Sequence, residues 1–117
     1  MGVIVIVSVT GMIFALNHHD HRTVEIRLTT NGGVPYKWEY VIEDDTIIKC
    51  KEVRTESKDS NTDGGMIYQY YDFEGLKEGT TIILFEYRDI LEQSVKETKK
   101  YNVLVDEHRK IKITQMQ

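Results

Sequence analysis

The side chains that could do covalent or acid-base chemistry are few and poorly placed for it. Cys50 is the only thiol in 117 residues, so an internal disulfide is excluded. No histidine lies near it in sequence to activate it, and it reads as a small buried or half-buried apolar residue. His18, His19, Asp20 and His21 are metal-ligand types, but only His108 accompanies them elsewhere, and the run reads as a solvated linker. Asp44-Asp45, Asp59 and Asp63 fall on polar turns, where exposure leaves carboxylates ordinary. The chain has no Gly-x-Ser-x-Gly elbow, phosphate loop, paired-cysteine metal site or His-Glu-x-x-His helix. An enzyme is therefore not expected, and neither a cofactor, a metal nor a small-molecule substrate is implied.

What remains is recognition by shape. Asn31-Gly32-Gly33-Val34-Pro35-Tyr36-Lys37-Trp38 places two glycines and the only proline within four residues, directly before a strand carrying the only tryptophan. Two φ-permissive positions beside one locked φ predict a loop held in a definite shape. Trp38 reads as a core residue between sheets, and Tyr36 as a brace for the loop or part of its surface. A net charge of −4 with interspersed signs argues against a nucleic-acid partner.

The elements that must position this loop are strands. The length suits one domain with a single core. Val24, Ile26 and Leu28 alternate with Glu25, Arg27 and Thr29, and Trp38, Tyr40 and Ile42 alternate with Lys37 and Glu39, the period of a sheet with one wet face. Thr46 to Val53 predicts another strand, Lys58 to Gly65 a polar loop, and Met66 to Phe73 a further strand. Thr80 to Tyr87 is the most hydrophobic, and its run Ile82 to Phe85 predicts a central strand covered on both faces. Arg88 to Val95 reads as a loop. Tyr101, Val103 and Val105 form the last main strand, which Ile111 and Ile113 extend after a turn near Asp106-Glu107. Glu97 to Lys100 could start a helical turn, but no convincing helix period appears anywhere. About seven antiparallel strands with turn signals between them predict an all-β, immunoglobulin-like β-sandwich over residues 23–117.

Residues 1–17 differ from the rest. Met1 to Leu16 is apolar and uncharged, and the His-rich junction at 18–22 ends the run. Such a segment is slightly short for a membrane span and long enough for a signal-peptide core. Export or membrane anchoring is expected, with a buried first strand built on Val3 to Val7 as the competing reading.

The order of loops resembles the chagasin family of cysteine-protease inhibitors. That family's first loop has the form Asn-Pro-Thr-Thr-Gly-Tyr-x-Trp; Asn31, Tyr36 and Trp38 match it, and Gly32, Gly33, Val34 and Pro35 replace its middle. Thr62-Asp63-Gly64-Gly65 is similar to the Gly-rich second loop, although Gly64-Gly65 would also suit an ordinary hairpin turn. For the third loop, Arg-Pro-Trp in the family, two alignments stay open. Arg88-Asp89-Ile90 keeps the arginine, whereas Asp89-Ile90-Leu91 keeps none of the three. The resemblance implies an immunoglobulin-like sandwich whose three loops enter the active-site cleft of a papain-like cysteine protease as a reversible wedge. It implies contacts from Asn31, Gly32, Gly33, Val34, Pro35 and Tyr36, from Asp63, Gly64 and Gly65, and from Arg88, Asp89, Ile90 and Leu91. The alternative is a secreted or membrane-anchored module of the same fold that binds another partner and inhibits nothing.

Overall fold

The computed structural model describes residues 22–57 and 65–116. These form seven strands: β1 Thr23–Asn31, β2 Tyr36–Ile42, β3 Ile48–Ser57, β4 Met66–Gly75, β5 Gly79–Asp89, β6 Ser94–Val105 and β7 Ile111–Gln115. They build a three-stranded sheet ordered β1-β4-β3 and a four-stranded sheet ordered β2-β5-β6-β7, with every pairing antiparallel. Among the described residues there is no helix, so the two sheets make an immunoglobulin-like sandwich, as the alternating pattern predicts. No helix among them is long and apolar enough to cross a membrane. The apolar segment at 1–17 and its competing first strand lie outside the described residues.

Period-2 alternation puts one set of side chains between the sheets. Ile26 and Leu28 come from β1, Phe73 from β4, Ile83 and Phe85 from β5, and Val103 and Val105 from β6; all are buried. Phe85 lies at the centre, with its ring centroid 5.0 Å from that of Tyr71, 5.8 Å from Tyr101 and 6.2 Å from Phe73, each in the edge-on geometry that aromatic quadrupoles favour. Cys50 is half-buried against this core.

Several boundaries differ from the sequence reading. β5 does lie inside its sheet, but Ile82 and Leu84 are half-buried on the outer face, so only one face is fully covered. The loop expected from Arg88 to Val95 shrinks to residues 90–93, because β5 runs through Asp89 and β6 starts at Ser94. Backbone pairing with β2 and β6 keeps these polar residues in the ladder, and a register shift between Tyr87 and Arg88 takes up the extra residue of β6. Glu97 to Lys100, a possible helix start by sequence, is the middle of β6. β3 begins at Ile48 rather than Thr46 and carries a bulge between Cys50 and Glu52, which breaks the simple alternation expected there. Ile111 to Gln115 is a separate edge strand hydrogen-bonded to β6.

The turns at the end remote from residue 31 are tied by aspartates. Asp44 Oδ1 accepts from the amide and hydroxyl of Thr46, and Asp106 Oδ1 from the amides of His108 and Lys110. These bonds favour the ionised form and hold both carboxyls below the ordinary 3.8. Desolvation works the other way on tyrosine: buried Tyr71 is pushed from 10.0 up to about 12, and Tyr40, 37% exposed but with its ring packed on those of Tyr71 and Phe73, likewise to about 12 by desolvation and then by its contact with Cys50. The pH dependence follows from these directions. The aspartate contribution is present above pH 3.8 and lost as pH falls through the lowered values; the tyrosine contribution is complete below pH 10.0 and lost as pH rises towards 12. Urea midpoints measured across pH should therefore fall at both extremes, with phenolate absorbance rising together with the alkaline loss.

Candidate functional site: the loop end of the sandwich

The strand registers decide which connections meet. Asn31 pairs with Met66 and Ser57 with Ile67, while Tyr36 pairs with Asp89 and Asp89 with Ser94. The β1–β2 loop, the flanks of the 58–64 segment and the β5–β6 loop consequently share one end of the sandwich. Two main-chain bonds join them. The amide of Gly32 donates to the carbonyl of Gly65 at 3.0 Å, and the amide of Ile90 donates to the carbonyl of Pro35 at 2.8 Å. The first loop is thus held between Gly65, at the flank of the 58–64 segment, and the β5–β6 loop.

Inside the first loop, Asn31 Oδ1 accepts from the amide of Gly33 at 3.0 Å, closing a local turn. Gly32 is required for closeness rather than for an unusual φ. A Cβ there would lie 3.1 Å from Ile67 Cδ1 and 3.2 Å from the Gly65 carbonyl, and among the described glycines only Gly79 has a positive φ. Val34 is exposed, as are Gly33 and Pro35.

The base of the loop is pinned to both sheets. The Trp38 indole N–H donates to the carbonyl of Thr29 at 2.9 Å, and the hydroxyls of Thr30 and Tyr87 lie 2.6 Å apart. Trp38 is buried with its ring 4.8 Å from that of Tyr87, and Tyr36 meets Tyr87 edge-on at 5.4 Å. Trp38 is therefore a core residue and Tyr36 a half-buried brace.

The third loop departs most from the sequence reading. Arg88 is a strand residue whose guanidinium lies 3.1 Å from Glu86 and 3.5 Å from Glu39 and donates to the carbonyl of Gln93, so it is not a free donor at a loop tip. Asp89 is 6% exposed, and its Oδ1 accepts from the amides of Leu91 at 2.8 Å and Glu92 at 3.1 Å. Its carboxylate shapes the turn from inside instead of facing outward. The amide of Gln93 returns to the carbonyl of Asp89 at 2.8 Å, with Gln93 in the left-handed region at φ 62°. What the turn presents is Ile90 and, above all, Leu91 at 76% exposure. Asp63 and Gly64 lie outside the described residues; Gly65 is half-buried and serves as acceptor for Gly32.

The Chagasin family peptidase inhibitor I42 model matches residues 17–105. The chain belongs to the chagasin family. Its fold agrees with a solved cysteine protease inhibitor, EhICP2 from Entamoeba histolytica, at a TM-score of 0.61 and 21% identity, covering 70% of this chain and 77% of that one. A comparison with curated proteins gives no match. As a chagasin-family peptidase inhibitor the protein is not an enzyme.

Two residues of this chagasin-family loop end escaped the sequence reading. Met66 and Val95 are exposed apolar residues at the strand ends beside the loops. Both read as ordinary strand or loop positions, and only the cross-strand register brings them here. For the third loop a local signal did exist: an aspartate followed by residues whose amides it can cap is a turn signature.

Proposed function

We propose that the protein reversibly inhibits papain-like cysteine proteases by placing its loop end in the active-site cleft as a wedge. The observation that carries this reading is the pair of main-chain bonds, Gly32 to Gly65 and Ile90 to Pro35, that ties the β1–β2 loop to Gly65 on one side and to the β5–β6 loop on the other. Two loops tied together before binding lose little conformational entropy on docking, so more of the contact energy becomes affinity. Membership in a peptidase-inhibitor family supports inhibition, and the likeness to a cysteine protease inhibitor from Entamoeba histolytica supports the class of target.

The apex suits a cleft that holds a reactive cysteine. Residues 32–36 carry no charge, so no ion has to be stripped of water on entry. The Asn31-capped turn holds the backbone in a bend rather than in the extended form of a substrate strand, which disfavours cleavage. Kinetics with papain test the wedge: inhibition should be competitive with substrate, and the inhibitor should be recovered uncut. Non-competitive inhibition would place the contact elsewhere. For the cellular setting we propose the outside of the cytoplasm, reached through the apolar segment 1–17. Fractionation of the source cells should find the protein exported or membrane-bound, and a wholly cytosolic pool would reject that location.

A further inference from the structure

We propose that Leu91 is the specificity-determining residue of the inhibitor, selecting papain-like proteases with an apolar recess beside the catalytic cysteine, and that Asp89 is the positioning residue that aims it. This rests on reading the loop end as the protease-contact surface.

Leu91 is the most exposed large apolar side chain among the described residues, at 76%, and its neighbour Ile90 is 46% exposed. Outward apolar side chains on a loop ordinarily sit on a mobile backbone that costs entropy to dock. Here the backbone is held at three points: by Asp89 Oδ1 on the amides of Leu91 and Glu92, by the Asp89 carbonyl on Gln93, and by the Pro35 carbonyl on Ile90. The last bond also fixes the height of Leu91 relative to the first loop, so that both must enter a cleft together. Ile90 and Leu91 are themselves uncharged, and the cation nearest in sequence, Arg88, is paired with Glu86 and Glu39; the charge that borders the step is exposed Glu92. Exposed Val95, two residues beyond the turn, adds apolar surface. The buried Asp89 carboxylate caps these amides in the free protein, so the turn already has its shape before a partner arrives.

The two roles separate kinetically. Leu91→Ala removes contact, so dissociation should quicken. Asp89→Ala loosens the turn and lowers the fraction of molecules ready to bind, so association should slow. Asp89→Asn keeps an oxygen acceptor and should restore association.

The test uses papain as probe, with association and dissociation rates measured for wild type and the three variants and thermal midpoints recorded alongside. The expected result is an inhibition constant raised at least tenfold by Leu91→Ala through dissociation, with an unchanged midpoint. Asp89→Ala should slow association several-fold, and Asp89→Asn should stay within about twofold of wild type. Inhibition by wild type that Leu91→Ala leaves within twofold would overturn this inference alone. An Asp89→Asn variant as impaired as Asp89→Ala would overturn the positioning role. Absence of inhibition by wild type would overturn the underlying reading, and this one with it.

Discussion

Gly33→Asp should abolish useful inhibition while leaving the fold intact. Gly33 is exposed at the apex of the first loop, its amide is satisfied by Asn31 Oδ1, and its φ is not in the left-handed region. A side chain there is tolerated in the free protein, and exposed substitutions of this kind change stability by roughly 0.5 kcal/mol or less. In a closed cleft the same carboxylate would be stripped of water without a partner, a cost of about 3 kcal/mol or more, equivalent to over a hundredfold in the inhibition constant. Gly33→Ala adds bulk without charge and should weaken inhibition far less. Measuring inhibition constants and thermal midpoints for both variants checks this. A Gly33→Asp protein that inhibits like wild type would remove the first loop from the contact.

Phe85→Ala should have the largest effect on stability. Phe85 has no exposed surface, and its ring meets those of Trp38, Tyr40, Tyr71, Phe73 and Tyr101 at centroid distances from 5.0 to 6.4 Å. It sits on β5, which is hydrogen-bonded to β2 on one side and to β6 on the other, so its backbone cannot collapse into the space. Truncating such a residue costs about 3–5 kcal/mol through lost burial and the cavity left behind. Against a typical stability of roughly 5–15 kcal/mol this lowers the midpoint by about 15 °C or more. Urea unfolding measures it directly, and a loss below about 1 kcal/mol would contradict the central place of this ring.

These predictions draw on different parts of the chain, and the parts were unequally legible. Alternation made Ile26, Leu28, Trp38, Val103 and Val105 readable as core, because a one-residue slip in any of those strands would turn its apolar set to solvent. Arg88 and Asp89 were not readable as strand, since what keeps them there is pairing with Lys37 and Tyr36 on a strand distant in sequence. The same holds for Met66 and Val95, whose place at the loop end follows from registers with Asn31 and Arg88. Gly32 was recognisable as special, but for the wrong reason: the constraint is the Gly65 carbonyl and the Ile67 side chain pressed against it, not backbone freedom. Asp89 shows the converse. Alignment with the family's Arg-Pro-Trp loop placed it among the contacts, whereas its burial shows a cap.

The most direct test of the proposed inhibition is a titration of active papain with the purified protein, followed by residual hydrolysis of a small peptide substrate. The wedge reading predicts that activity falls with added protein and is fully suppressed when excess inhibitor is present, with substrate competing and the inhibitor chain intact afterwards. Undiminished papain activity at micromolar concentrations of folded protein would contradict it.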